Sequence, residues 1–202
     1  MTKGEKRKQE LLKIAYRMFI EKGYDNTSID EIIAVAGIAK GTYYYYFPSK
    51  EATLEAVIDM MIEEEVERAK EVIASPLSVP EKIVAVIYTF RPGQEEQAIA
   101  SAVKTDENII LHEKLHKKLI GAGAPLLAEV IKDGIAQGIF NCEHIEERVK
   151  MVLILSSALF DDGDFTLAEL TAFIDVTEKI FGAKPGTMDF IKTLVSGGSD
   201  NE

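Results

Sequence analysis

Two stretches of this sequence hold residue types at spacings from which chemistry could be built. The first runs Lys40-Gly41-Thr42-Tyr43-Tyr44-Tyr45-Tyr46-Phe47-Pro48-Ser49-Lys50. Ammonium and phenol groups donate hydrogen bonds to phosphate oxygens. Gly41 has no side chain to hold a phosphate away from the backbone. The Thr42 hydroxyl and methyl suit a base edge or a thymine methyl. On a helix, successive residues lie about 100° apart, so four tyrosines in a row cannot all face a core. One or two of their hydroxyls must face outward. Phe47, at a helix junction, belongs in the core. Lys40 and Tyr44 are expected on nucleic acid, whereas Tyr43 and Tyr45 leave packing and contact equally open. Lys50 falls in the first turn of the following helix, where backbone N–H groups and the dipole also attract anions.

The second stretch, His112-Glu113-Lys114-Leu115-His116, spells the H-E-x-x-H pattern of zinc hydrolases, with Glu113 as the base. Residues at i and i+4 share a helix face, so both imidazoles could meet one metal. A catalytic zinc needs a third protein ligand. His144 is the only other histidine and lies in a separate segment. We therefore expect no metal, no cofactor and no enzyme. His112 and His116 are then half-exposed residues or the lining of a pocket. Asp161-Asp162-Gly163-Asp164 lacks the ligand spacing and terminal glutamate of a calcium loop. It reads as a helix–helix turn, with Asp164 a candidate cap. Glu63-Glu64-Glu65 reads as a solvated helix face. Cys142, the single cysteine, has no evident activating neighbour and excludes an intrachain disulfide.

The elements that must position the first stretch read as helices throughout. Glu5 to Lys22 carries an apolar helical face, and Gly23 suits its C-cap. Ser28 with Glu31 matches a capping box opening a second helix, which Gly37 ends. A short helix from about Ala39 to Tyr45 stops at Pro48, and Ser49 caps a long one to about Ala74. Beyond the break Ser75 to Pro80, helical stretches are expected near 80–90, 94–104, 106–120, 124–137, 145–160 and 165–181. Arg91-Pro92-Gly93, Gly121-Ala122-Gly123, Gly138 to Cys142 and Asp161 to Asp164 separate them. The fold is therefore expected to be all-α. Residues 1–48 form a three-helix helix-turn-helix DNA-binding domain. Residues 49–195 form a larger helical domain, joined through the helix at about 49–74, and 196–202 form a disordered tail.

The charge distribution fits that division. The chain has 202 residues and a net charge of −11, which taken alone argues against nucleic acid. Yet residues 1–50 hold nine Lys/Arg against six Asp/Glu, while the remainder holds fourteen against twenty-eight. DNA binding needs locally basic surface, not a basic chain. No apolar run reaches the roughly 18 residues of a membrane span, and the charged start lacks a secretory core. A cytoplasmic protein without membrane contact is expected.

The stretch Thr27 to Lys50, with Ala15, Phe19, Gly23 and Tyr24 before it and Glu51 after it, resembles the N-terminal domain of the tetracycline-repressor (TetR/AcrR) family of transcription regulators. Ile29, Ile32, Ala36, Gly37, Lys40, Gly41, Tyr44, Tyr46, Phe47 and Lys50 carry the resemblance, over about residues 6–58. It implies a ligand-responsive repressor that binds a palindromic operator in double-stranded DNA as a homodimer. Tyr44 and Lys50 would anchor phosphates, as would Thr27 or Ser28 at the start of the second helix. Lys40, Gly41, Thr42, Tyr43 and Tyr45 would face the major groove. Position 43 is often aliphatic in the family, so Tyr43 departs from it.

Two late helices have broad apolar faces. In the family the last two long helices pair with their twins in a four-helix bundle. On that basis Val149, Val152, Leu153, Ser156, Leu159 and Phe160 are expected at a dimer interface. Leu170, Phe173, Ile174, Thr177, Ile180 and Phe181 are expected there from the second helix. An unidentified small-molecule effector is expected among the helices from about 51 to 160, with Met60, Met61, Tyr88, Phe90, His112, His116 and Met151 as candidate lining.

Overall fold

A computed structural model of the chain describes residues 2–91, 97–103, 109–160 and 165–192. Every regular element among them is a helix: α1 (Lys3–Lys22), α2 (Ile29–Ala36), α3 (Lys40–Tyr46), α4 (Lys50–Ala74), α5 (Val79–Thr89), α6 (Gln97–Val103), α7 (Ile109–Ala136), α8 (Ile145–Phe160) and α9 (Leu167–Phe181). The expected turn at Asp161–Asp164 and the tail 196–202 lie outside the described residues.

Local signals set most of the boundaries. Thr2 and Glu5 cap α1 reciprocally, and Gly23 at φ 84° ends it. Ser28 and Glu31 form the expected capping box on α2, and Gly37 closes it in the left-handed region at φ 61°. The Ser49 hydroxyl accepts from the Ala52 N–H, capping α4. Two expectations need correction. Gly121-Ala122-Gly123 does not separate helices, because α7 runs through it and through Pro125. Glycine costs a helix only about 1 kcal/mol. The buried run Ala124, Leu126, Leu127, Ala128, Val130 and Ile131 outweighs that. The cap of α9 is Thr166, boxed with Glu169, rather than Asp164.

The chain forms two compact units: residues 1–64 with 91–117, and residues 65–90 with 118–202. The first packs Leu11, Ala15, Phe19, Ile32, Tyr43 and Phe47 against Leu54, Val57 and Ile58 of α4 and Ile99 and Ala102 of α6. The start of α4 thus belongs to the core that holds α1–α3. The second unit has its own core from α5, α7, α8 and α9, with Val86, Val130, Phe140, Phe173 and Phe181 among its buried residues. Among the described residues, no helix is long and apolar enough to cross a membrane.

Candidate nucleic-acid interface

The rotation of α3 decides which tyrosines can meet a ligand. Tyr43 is fully buried, and its hydroxyl bonds the Thr53 hydroxyl at 2.5 Å. Thr53 gives its one proton to the Ser49 carbonyl at 3.0 Å, so Tyr43 is the donor. Burial pushes the Tyr43 phenol above its ordinary pKa. Tyr43 is therefore a core residue and not a groove contact: one step of the helix puts it opposite the surface its neighbours occupy. Tyr44 is 42% exposed and Tyr45 82% exposed. Lys40, Gly41 and Thr42 are exposed beside them. Tyr46 is half-buried.

The turn before α3 holds its angle through distant partners. Arg7 donates to the Ala36 carbonyl at the end of α2 at 3.2 Å. Ala39 caps α3 without a side-chain hydrogen bond, so the first N–H groups of α3 are not taken by a capping side chain. A Cβ added at Gly41 would meet nothing within 4 Å. The fold leaves open space there, in keeping with close approach by something outside the chain.

Thr27 also departs from its expected role. It is buried, and its hydroxyl donates to the Gly23 carbonyl at 2.8 Å and the Met18 carbonyl at 3.2 Å. It ties the end of α1 to the start of α2 and is turned away from solvent. Ser28 is exposed. Its backbone N–H and hydroxyl both donate to Glu31, at 2.9 Å each. A hydrogen bond from Lys22, then those from Ser28, holds the Glu31 carboxyl down to a pKa of about 2.

The two lysines sit at either side of the tyrosines. Lys40 pairs with Asp30 at 3.0 Å on open surface, and that hydrogen bond raises its pKa. Lys50 donates to the Asp25 carbonyl at 3.3 Å, with its ammonium 4.2 Å from the Tyr24 ring centre. Burial, followed by the charges of Glu51 and Asp25, pushes the Tyr24 phenol up to about 12. Tyr24 stays neutral, and its ring face steadies the cation. The partners Asp30, Thr53 and Arg7 had no local signal in the sequence.

The expected ligand residues fall in both units. Met60 is buried and Met61 half-buried against the first core. His112 and His116 are half-buried, with ring centres 4.4 Å apart. Phe90 packs on the second core, while Tyr88 is exposed. Met151 is 56% exposed on α8, so it lines no interior. Among the described residues, no group of three or more His, Cys, Asp or Glu could hold a metal ion.

Of the twelve residues expected at a dimer interface, six pack inside their own unit. Val149, Leu170, Phe173, Ile174, Thr177 and Phe181 are buried in their own unit. Val152, Leu153, Ser156, Phe160 and Ile180 are half-buried, and only Leu159 of the set is exposed. The open apolar surface is formed by Met151, Ile154, Leu155 and Leu159 of α8 with Leu167 and Val176 of α9.

A short helix at the surface, presented by a tight glycine turn and flanked by cations, defines a helix-turn-helix DNA-binding protein. Comparison with known proteins gives the family. Residues 11–57 match the model for bacterial regulatory proteins of the tetR family. Residues 93–178 match the tetracyclin repressor-like C-terminal domain. The HTH-type transcriptional repressor KstR2 of Rhodococcus jostii (strain RHA1) is 26% identical over 141 residues, 68% of this chain and 69% of that protein. The fatty acid metabolism regulator protein of Bacillus subtilis (strain 168) is 27% identical over 133 residues, 64% of this chain and 68% of its own length. The crystal structure of RolR in complex with resorcinol shares the fold, with a TM-score of 0.64 at 19% identity, over 96% of this chain and 95% of that one. The chain belongs to the tetR family of bacterial regulatory proteins and is a DNA-binding transcriptional regulator.

Proposed function

We propose that this chain is a cytoplasmic repressor, not an enzyme, which binds a palindromic operator as a homodimer and is released by a small molecule. The observation that carries the reading is the division of α3. Tyr43 anchors it inward, and Lys40, Gly41, Thr42, Tyr44 and Tyr45 remain outside, beside Ser28 and Lys50. Thr42 and Tyr45 read base edges in the major groove. Lys40, Tyr44, Lys50 and the Ser28 end of α2 hold phosphates. KstR2, named a repressor, supports the sign of regulation.

The open faces of α8 and α9 pair with a second copy, placing two recognition helices about one DNA turn, or a multiple of it, apart. RolR binds resorcinol on the same fold, which supports a small organic effector. Met60, Met61, His112 and His116, all within the first unit, are the candidate contacts. An effector that binds better to a dimer with mismatched helix spacing shifts the population away from DNA.

Selection of duplexes from a random pool by the purified protein tests this reading. It should enrich an inverted repeat. Enrichment of nothing above a helix-turn-helix-deleted control would contradict it.

A further inference from the structure

We propose that a cleft between the start of α1 and the end of α3 is an additional phosphate-backbone site, which carries the DNA footprint past the recognition helix. The inference rests on the DNA reading above. The cleft encloses about 690 Å³ and is lined by Lys3, Gly4, Lys6, Arg7, Glu10 and Tyr46.

Its charge is not matched internally. Arg7 holds the one carboxylate, Glu10, at 2.7 Å, and also donates to Ala36, so both are committed to the wall. Lys3 and Lys6 are exposed, and neither forms an ion pair among the described residues. The helix end itself supplies little attraction, because Thr2 and Glu5 already cap α1. Two free ammonium groups therefore set the potential of the cleft.

The opposite wall supplies a hydrogen-bond donor. The Tyr46 ring stacks edge-on against Tyr45 with centres 5.1 Å apart. Its hydroxyl would lie 3.7 Å from a Cβ at Gly4, and it has no hydrogen-bond partner among the described residues. Glycine at position 4 keeps the cleft wide at that hydroxyl. Tyr46 directly follows the exposed Tyr45, so a strand lying along Tyr44 and Tyr45 can continue between Tyr46 and the two lysines. The open side of the cleft suits a backbone passing through it. Each phosphate neutralised releases condensed counterion, and that release supplies the binding energy.

The test is a salt titration of operator affinity with the full-length protein and a duplex it has itself selected. Lys3→Ala/Lys6→Ala should make the slope of log K against log salt shallower by about 0.9 per lost phosphate, about 3.6 for a symmetric dimer. Base preference should not change, and hydroxyl-radical protection should vanish only at the outer edge of each half-site. Tyr46→Phe should weaken binding to all sequences alike. Lys13→Ala/Arg17→Ala removes the same charge from α1 outside the cleft and should keep the wild-type slope. Should the alanine pair lose helical signal, Lys3→Gln/Lys6→Gln is read in its place. A wild-type slope and footprint in the lysine pair, or an equal loss in the Lys13/Arg17 control, overturns the site. Wild-type protein that selects no duplex overturns the DNA reading instead.

Discussion

Tyr43 gives its hydroxyl proton to Thr53, ten residues further along, and so fastens α3 to α4. Both side chains are fully buried. Any rotation of the start of α4 therefore carries α3 with it, which is what a regulator needs if its DNA contacts are to respond as a unit. Tyr43→Phe keeps the ring and removes the bond. It should destabilise the protein by about 1 kcal/mol, the net worth of one buried hydrogen bond. Chemical denaturation measures this, and the duplex preference should be that of the wild type. A changed base preference with unchanged stability would return Tyr43 to the groove.

Gly41 separates stability from binding. With open space around it, Gly41→Ala should fold normally and gain up to about 1 kcal/mol of helix stability. Its DNA affinity should fall, because the added methyl stands where the backbone of the nucleic acid approaches. Thermal melting and anisotropy on the same sample check the pair. Unchanged affinity would place Gly41 away from the interface.

The Glu31 capping box makes part of the stability pH-dependent. Its folded pKa of about 2 lies below the ordinary 4.5, so ionised Glu31 stabilises the fold above about 4.5. That contribution is lost as pH falls towards about 2. Glu31→Gln should flatten the fall in melting temperature over this window and have little effect on its shape above it. Melts recorded across the acid range would show a parallel curve if the pairing with Lys22 and Ser28 were unimportant.

The proposed dimer face on α8 and α9 separates packing from association. Ile154 is 56% exposed. Ile154→Lys should leave the melting of a single chain intact and convert dimer to monomer by light scattering. Phe173→Ala, inside the second core, should instead cost about 3–5 kcal/mol of stability. A dimer that survives Ile154→Lys would move the interface elsewhere.

The sequence was most legible where signals are local. Ser28 with Glu31, Gly23, Gly37 and Pro48 mark the bounds of the helix-turn-helix within a residue or two, because caps act on their own helix. Rotation was not legible. Four tyrosines at 100° steps show that some face out, but Thr53 and the α1 core decide which, and they lie far along the chain. The same limit affected α8, whose run Met151 to Leu155 offers two apolar stripes, and only packing against α9 selects one. Thr27 was expected to anchor a phosphate at the start of α2, yet its hydroxyl donates to the Met18 and Gly23 carbonyls at the end of α1. Thr166 with Glu169 was readable as a capping box, but Asp164 close by offered a competing cap. The break at Gly121 to Gly123 failed because a helix penalty of about 1 kcal/mol per glycine is small beside the burial of the residues that follow.

The most direct measurement of the central claim is the affinity of Lys50→Ala and Tyr44→Phe for the selected duplex and for a scrambled one, across salt concentrations. Both variants should bind both duplexes more weakly by similar factors, and Lys50→Ala should flatten the salt dependence, as loss of a phosphate anchor requires. Wild-type affinity and slope in both variants would contradict the placement of this face on DNA.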